Sequence, residues 1–238
     1  MLILIIAESA LEMVPKSIWD DPAIQRDVKR RGKSPSKILL DRSYHHSAMI
    51  KLKNSGKRGR PDIVHFTLLE ALGSPLNKEG FLQTYVHTID DHVIDVDPQA
   101  RLPRNYNRFV GLMEQLFELG KIPPTGKPLM MIRKQSIAQL LTELKPTYTI
   151  AFTRLGKLMQ LDEAVAKLVK EEKPIAIVGG FPRGHFAGEL LKLVDETVCF
   201  DPEMLDTWTV TSRLINEYEK AIGLPAKRLA KTSYQSKQ

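Results

Sequence analysis

Residues 175–186 read IAIVGGFPRGHF. Four β-prone apolar residues run into Gly179-Gly180, and Gly184 follows four residues later. This predicts a buried strand feeding a tight loop that holds something small. A phosphate-cradling Walker loop closes on Gly-Lys-Ser/Thr, which this stretch lacks. A dinucleotide fingerprint needs a second glycine where Phe181 stands, and Pro182 removes a backbone N–H donor. A glycine-opened backbone loop beside an aromatic ring remains. It suits a flat, mostly neutral group such as adenine, held by backbone hydrogen bonds. The competing reading is a plain strand-to-helix turn, where glycine is the usual residue.

The same alternation extends outward from this stretch. Apolar runs at 2–7, 129–132, 148–153, 174–180 and 197–200 predict strands. Helical patterns fall at 17–32, broken early by Pro22, and at 104–120, 134–143, 160–172, 186–194 and 205–222. A helix over 60–76 starts at Pro61 and stops at Gly73, with Ile63, Phe66, Leu69 and Leu72 at helical spacing. Residues 81–98 read as an inserted β-hairpin turning at Asp90-Asp91-His92. The tail from 227 reads as loose. The expected fold is α/β: one domain over 1–238, with a mostly parallel sheet covered by helices on both faces. Ligands of such sheets sit at the carboxyl ends of strands, which puts the glycine loop and the end of TVCF at the site.

Composition sets further bounds. A single cysteine, Cys199, excludes an internal disulfide and a cysteine zinc site, and suggests a cytoplasmic protein. The opening MLILIIAESA is too short to span a bilayer and has no basic region ahead of it, so no membrane partner is expected. The net charge of +7 is uneven. Residues 29–60 hold eleven Lys/Arg against one acid, Asp41, a net of +10 that leaves −3 for the rest. Such a stripe suits a polyanion; the alternative is a solvated basic surface.

Several motifs in order carry a family resemblance. RPDIVHFTLLEALGSPLNKEG and DVDPQARLPRNYNRFVGLMEQL, then IVGGFPRGHF and FDPEMLDTWTVTSRL, resemble the Nep/Emg pseudouridine N1-methyltransferases of ribosome biogenesis, in the SPOUT superfamily. The resemblance covers residues 1–223. It implies a C-terminal trefoil knot in the α/β fold, S-adenosyl-L-methionine as cofactor, a homodimer, and small-subunit rRNA as substrate. Ribosome assembly factors are further implied partners. Gly179 and Gly184, with Gly180 beside them, match the first cofactor loop. Phe200, Asp201, Pro202, Glu203, Met204 and Leu205 match the second, and Thr153 and Leu155 line a third side. This chain departs from the family at Glu203-Met204-Leu205-Asp206, where a polar-Pro-Leu-Ser run is more usual.

Arg101, Arg104 and Arg108 match the family's RNA-contacting arginines. If the helix reaches back to Arg101, their spacing lines one face for RNA phosphates or stacked bases. Arg60 and Asp62 flank Pro61, and the reading gives Arg60 the target RNA and Asp62 the task of holding Arg60. A role for Asp62 as acceptor of the base proton ranks below this, since an acid beside arginine is a weak base. Helix capping by Asp62 is the plain alternative. His45-His46 suggests an RNA or subunit contact, and His65 suggests packing. Asp90, Asp91, Asp95 and Asp97 read as an exposed strand turn, and no metal is assigned. Two rivals stand beside an rRNA pseudouridine N1-methyltransferase: a non-catalytic rRNA-binding assembly factor, and a knotted methyltransferase with a different RNA target.

Overall fold

A computed structural model describes residues 1–235, with side chains through 231. The chain opens with β1 (Leu2–Ser9), then α1 (Pro22–Arg31), α2 (Arg42–Met49), α3 (Pro61–Gly73) and α4 (Pro75–Lys78). A hairpin of β2 (Leu82–Thr88) and β3 (His92–Val96) leads to α5 (Tyr106–Leu119), β4 (Lys121–Ile122), β5 (Met130–Lys134) and α6 (Ile137–Leu144). The last part runs β6 (Tyr148–Leu158), α7 (Leu161–Val169), β7 (Pro174–Gly179), α8 (Gly188–Leu191), β8 (Glu196–Cys199), α9 (Thr207–Ala221) and α10 (Leu224–Gln235).

The strands form one sheet in the order β4-β5-β3-β2-β1-β7-β6-β8. From β2 to β8 every neighbour is parallel, and β3, β5 and β4 pair antiparallel. The sheet is therefore mixed rather than mostly parallel, because the hairpin extends the main sheet and recruits β5 and β4 beyond it. β1 lies inside the sheet and is buried on both faces, which explains its unbroken apolar run. Leu2, Leu4 and Ile6 face a core built with α3, α5, α7 and α9. Ile3, Ile5 and Ala7 face a second core with Leu140 and Leu141 of α6 and Leu190 of α8. That alternation follows from the two-residue period of a strand.

Pro22 opens α1 instead of breaking a longer helix, with Asp21 accepting from the N–H of Ala23. Asn105 caps α5, so that helix does not reach back to Arg101 or Arg104. α10 occupies much of the tail read as loose; residues 236–238 of that tail lie outside the described residues.

The basic stretch packs around its own small core of Val14, Ile18, Ile24, Ile38, Leu40, Ala48 and Met49. Eight of its eleven cations form ion pairs. Arg31 and Lys33 reach the buried Glu114 at 2.6 and 2.7 Å, Lys37 reaches Glu118, and Lys51 reaches Asp21. Arg30, Lys57, Arg58 and Arg60 pair with Asp27, Glu8, Glu12 and Asp62. The stripe is thus largely neutralised by acids outside it, most of them from distant parts of the chain, which a count along the sequence cannot show.

Candidate functional site

A cavity of about 190 Å³ opens at the carboxyl ends of β6, β7 and β8. Phe152, Thr153 and Arg154 of β6 line one side, and residues 178–179 and 181–186 line a second. Residues 198–201 and 203–208 line a third, and Arg60 with Ile63 reaches in from α3. The walls mix apolar side chains with charged ones, and the Phe152 and Phe200 rings meet edge to face, centroids 6.0 Å apart. The sheet topology accounts for the location: three adjacent parallel strands end on one rim, where their loops converge.

Gly184 has φ +94°, a conformation that disfavours any side chain. Gly180 is buried and sits outside the cavity lining. A Cβ there would clash with Ser9 Oγ and lie 2.8 Å from Ser9 Cα, so this glycine lets the loop lie close against the end of β1. Gly180 also donates to Ala7 O and accepts from the N–H of Ala10. Thr207 Oγ1 donates to Gly179 O at 2.6 Å, tying the start of α9 to the loop. Among the described residues, the N–H groups of Arg183, Gly184 and His185 find no partner within the chain. Free backbone donors beside apolar walls fit a neutral heterocycle such as adenine.

Of the residues expected to hold a cofactor, Thr153, Gly179, Gly184, Phe200, Asp201, Glu203, Met204 and Leu205 line the cavity. Gly180, Leu155 and Pro202 do not, and Leu155 and Pro202 are exposed. Arg154, Arg183, His185 and Trp208 line it as well, without having been assigned to a cofactor in the sequence, and so does Phe181, whose ring the sequence placed beside the glycine loop.

Arg60 and Asp62 meet side by side at the start of α3. Nε donates to Oδ1 at 2.8 Å and Nη2 to Oδ2 at 2.7 Å. The carboxylate raises the arginine's pKa, so Arg60 stays charged. Both oxygens of Asp62 are thereby engaged, and it caps no helix N–H. Arg60 N–H donates to Ala10 O, which fixes the motif to the end of β1. His65 on α3 bonds Pro103 O at 2.7 Å and stacks on Phe109 at 4.3 Å. This docks the segment bearing Arg101, Arg104 and Arg108 onto α3. All three arginines are exposed and have no ion pair among the described residues.

His45 lies buried rather than on a contact surface. Its Nδ1 accepts from the N–H of Asp41, and its Nε2 lies 3.2 Å from Asp27. Burial pushes its pKa down against the pull of Asp27. The aspartates at the hairpin each meet a cation or imidazole: Asp90 with His92, Asp91 with His87, Asp95 with Arg133 and Asp97 with Lys127. Among the described residues no group of three His, Cys, Asp or Glu side chains could hold a metal ion. No described helix is long and apolar enough to cross a membrane.

Comparison with known proteins gives consistent matches over nearly the full chain. Residues 4–219 match the EMG1/NEP1 methyltransferase family. The ribosomal RNA small subunit methyltransferase Nep1 of Pyrococcus furiosus is 47% identical over 216 residues, 91% of this chain and 95% of that protein. Its counterpart in Staphylothermus marinus is 46% identical over 213 residues, 89% of this chain and 92% of the relative. Among solved structures, Archaeoglobus fulgidus Nep1 bound to S-adenosylhomocysteine superposes with a TM-score of 0.81. That chain is 38% identical, and the match covers 92% of this chain and 98% of the other.

Proposed function

The chain belongs to the EMG1/NEP1 methyltransferase family, and from that premise we propose that it methylates N1 of a pseudouridine in small-subunit rRNA. The observation that carries the proposal is the cavity at the ends of β6, β7 and β8, with Arg60 at its edge. The donor is S-adenosyl-L-methionine, as the homologous fold bound to S-adenosylhomocysteine supports. Bound there, it supplies an electrophilic methyl group on a positively charged sulfur. Phe200 and Leu205 wall the adenosine, Thr153 closes a third side, and the Gly179–Gly184 loop offers backbone donors.

The chain itself does the positioning. Arg60 places the target nucleotide in line with the methyl group, and such alignment supplies much of the rate. Asp62 holds Arg60; with both oxygens committed to the guanidinium, it is a poor acceptor for the N1 proton. Arg101, Arg104 and Arg108 hold the surrounding RNA loop by phosphate or stacking contacts. The target base leaves its stack to enter the site. Uridine offers no free N1, whereas pseudouridine, joined to ribose through carbon, carries a proton there. Selectivity follows from that difference.

A C-terminal trefoil knot belongs to the same reading. The parallel order β1-β7-β6-β8, with α9 packed against both α3 and α7, supports it. The same reading includes a homodimer in the cytoplasm, acting during small-subunit assembly alongside other assembly factors. The test is methyl transfer from labelled cofactor into a small-subunit rRNA fragment. Incorporation that Gly184→Val abolishes supports the enzyme. Tight RNA binding with no incorporation supports the non-catalytic assembly factor.

A further inference from the structure

The charged residue at the end of β1 has no part in the reaction described above, yet it grips the loop that lines the cavity. Glu8 has φ +50°, a left-handed conformation uncommon outside glycine. The buried His87 accepts from its N–H at 3.3 Å, with Asp91 on the other ring nitrogen at 3.1 Å. That support turns the Glu8 carboxylate toward the glycine loop. Oε1 accepts from the N–H of Ala187 at 2.7 Å, and Oε2 accepts from Lys57 Nζ at 2.7 Å. Lys57 also donates to His185 O, and its ammonium lies 4.4 Å from the centre of the Phe181 ring. Its stem passes Gly184 so closely that a Cβ there would sit 3.2 Å from Cε.

Phe181, Gly184, His185 and Ala187 thus all touch a single ion pair that is itself outside the cavity lining. The pair is mostly shielded, with Lys57 19% and Glu8 12% exposed. Lys57 stands three residues before Arg60, and the segment between them is fixed by Arg58, whose Nε donates to the buried Glu12 at 2.7 Å. We infer that Glu8 and Lys57 are positioning residues that hold the glycine loop closed over the cofactor, joining that loop to the segment that presents Arg60. Lys57 on this account is not an RNA phosphate contact. Its charge is spent on Glu8, on a backbone carbonyl and on an aromatic face. The inference rests on the reading of the cavity as an S-adenosylmethionine site.

Calorimetry with S-adenosylhomocysteine on the full chain tests it. Losing the clamp should lower the fraction of loops in the competent state to about a tenth, so Lys57→Met and Glu8→Gln should each bind roughly tenfold more weakly. The double variant should lose far less than the product, because both act on one element. Lys57→Arg, which keeps the cation, should come back to within about threefold of wild type. Trypsin should cut after Arg183 faster in the two weakened variants, as a loosened loop opens more often. In turnover, KM for the cofactor should rise while KM for RNA and kcat hold, a split that general damage to the fold would not give. No binding by wild type removes the cofactor reading and this inference with it. Binding by wild type with unchanged affinity and unchanged cleavage in both variants removes the inference alone. Unchanged cofactor affinity with weaker RNA binding and a flatter salt dependence makes Lys57 a phosphate contact, which also overturns it.

Discussion

Arg60 engages Asp62 through Nε and Nη2, which leaves Nη1 without a partner among the described residues and on the side chain that lines the cavity. Arg60→Ala and Asp62→Asn should each lower kcat/KM by roughly tenfold or more, the loss of at least ~1.4 kcal/mol of transition-state stabilisation. The double variant should lose less than the two single effects combined. Steady-state kinetics on a pseudouridine-containing loop reads this, and full activity in both single variants would reduce the motif to a helix start. Asp62→Asn that binds RNA normally and fails in transfer would restore the acid as proton acceptor. The two constrained glycines should separate fold from site. Gly180→Ala forces a Cβ into the Ser9 backbone and should cost about 1–3 kcal/mol in urea unfolding. Gly184→Val strains a left-handed backbone, but on an exposed loop, so it should lower the unfolding midpoint less than Gly180→Ala does and abolish cofactor binding. A Gly180→Ala variant as stable as wild type would contradict the close approach to Ser9. The RPD pair was legible because both partners sit in one motif. Glu8 and Lys57 were not, since they lie 49 residues apart and only the fold brings them together.

The same limit applies to whole elements. Residues 29–60 read as a free polycation, but Glu8, Glu12, Asp21, Asp27, Asp62, Glu114 and Glu118 take up most of that charge. If Arg60, Arg101, Arg104 and Arg108 are the phosphate contacts, the slope of log affinity against log salt for a single-stranded loop should be roughly −3. Eleven free contacts from the basic segment would give a slope of roughly −8. Filter binding across a salt series separates the two. Burial also lowers the pKa of His45 and of His87, in each case against a neighbouring aspartate. Both imidazoles are therefore neutral in the fold but titrate near about 6.5 when unfolded. Their contribution to stability is complete above that value and is lost as pH falls toward the depressed folded pKa. The urea midpoint should drop between pH 7.5 and pH 6. Glu12 and Asp95, pushed up by burial, act in the opposite sense, their penalty falling away as acid protonates them. A flat profile would mean that protonating the buried rings costs nothing.

At the scale of the molecule, the strand and helix alternation was legible because apolar period and glycine or proline punctuation mark most elements. Strand direction was not: the 81–98 hairpin carries no sign that it prolongs the main sheet and makes it mixed. The apolar residues Leu205, Trp208, Val210, Leu214 and Ile215 at the last helix read in the sequence as the dimer face, and the fold changes that reading. Leu214 and Ile215 of α9 point into the core and cannot serve that face. Trp208 meets Phe66 of α3 edge to face at 5.3 Å, and Phe66 remains 44% exposed with Met204 and Leu155 also exposed. Light scattering at low micromolar concentration should return the mass of two chains, and Phe66→Asp should weaken that association. An active monomer would contradict the pairing. The central claim concerns chemistry, and one measurement meets it directly. The protein is incubated with labelled S-adenosylmethionine and two otherwise identical small-subunit RNA loops, one with uridine and one with pseudouridine at the target position. The RNA is then digested and the labelled nucleoside identified. The account predicts N1-methylpseudouridine from the second loop and no label in the first. Label in the uridine loop, or on any atom other than N1, would contradict it.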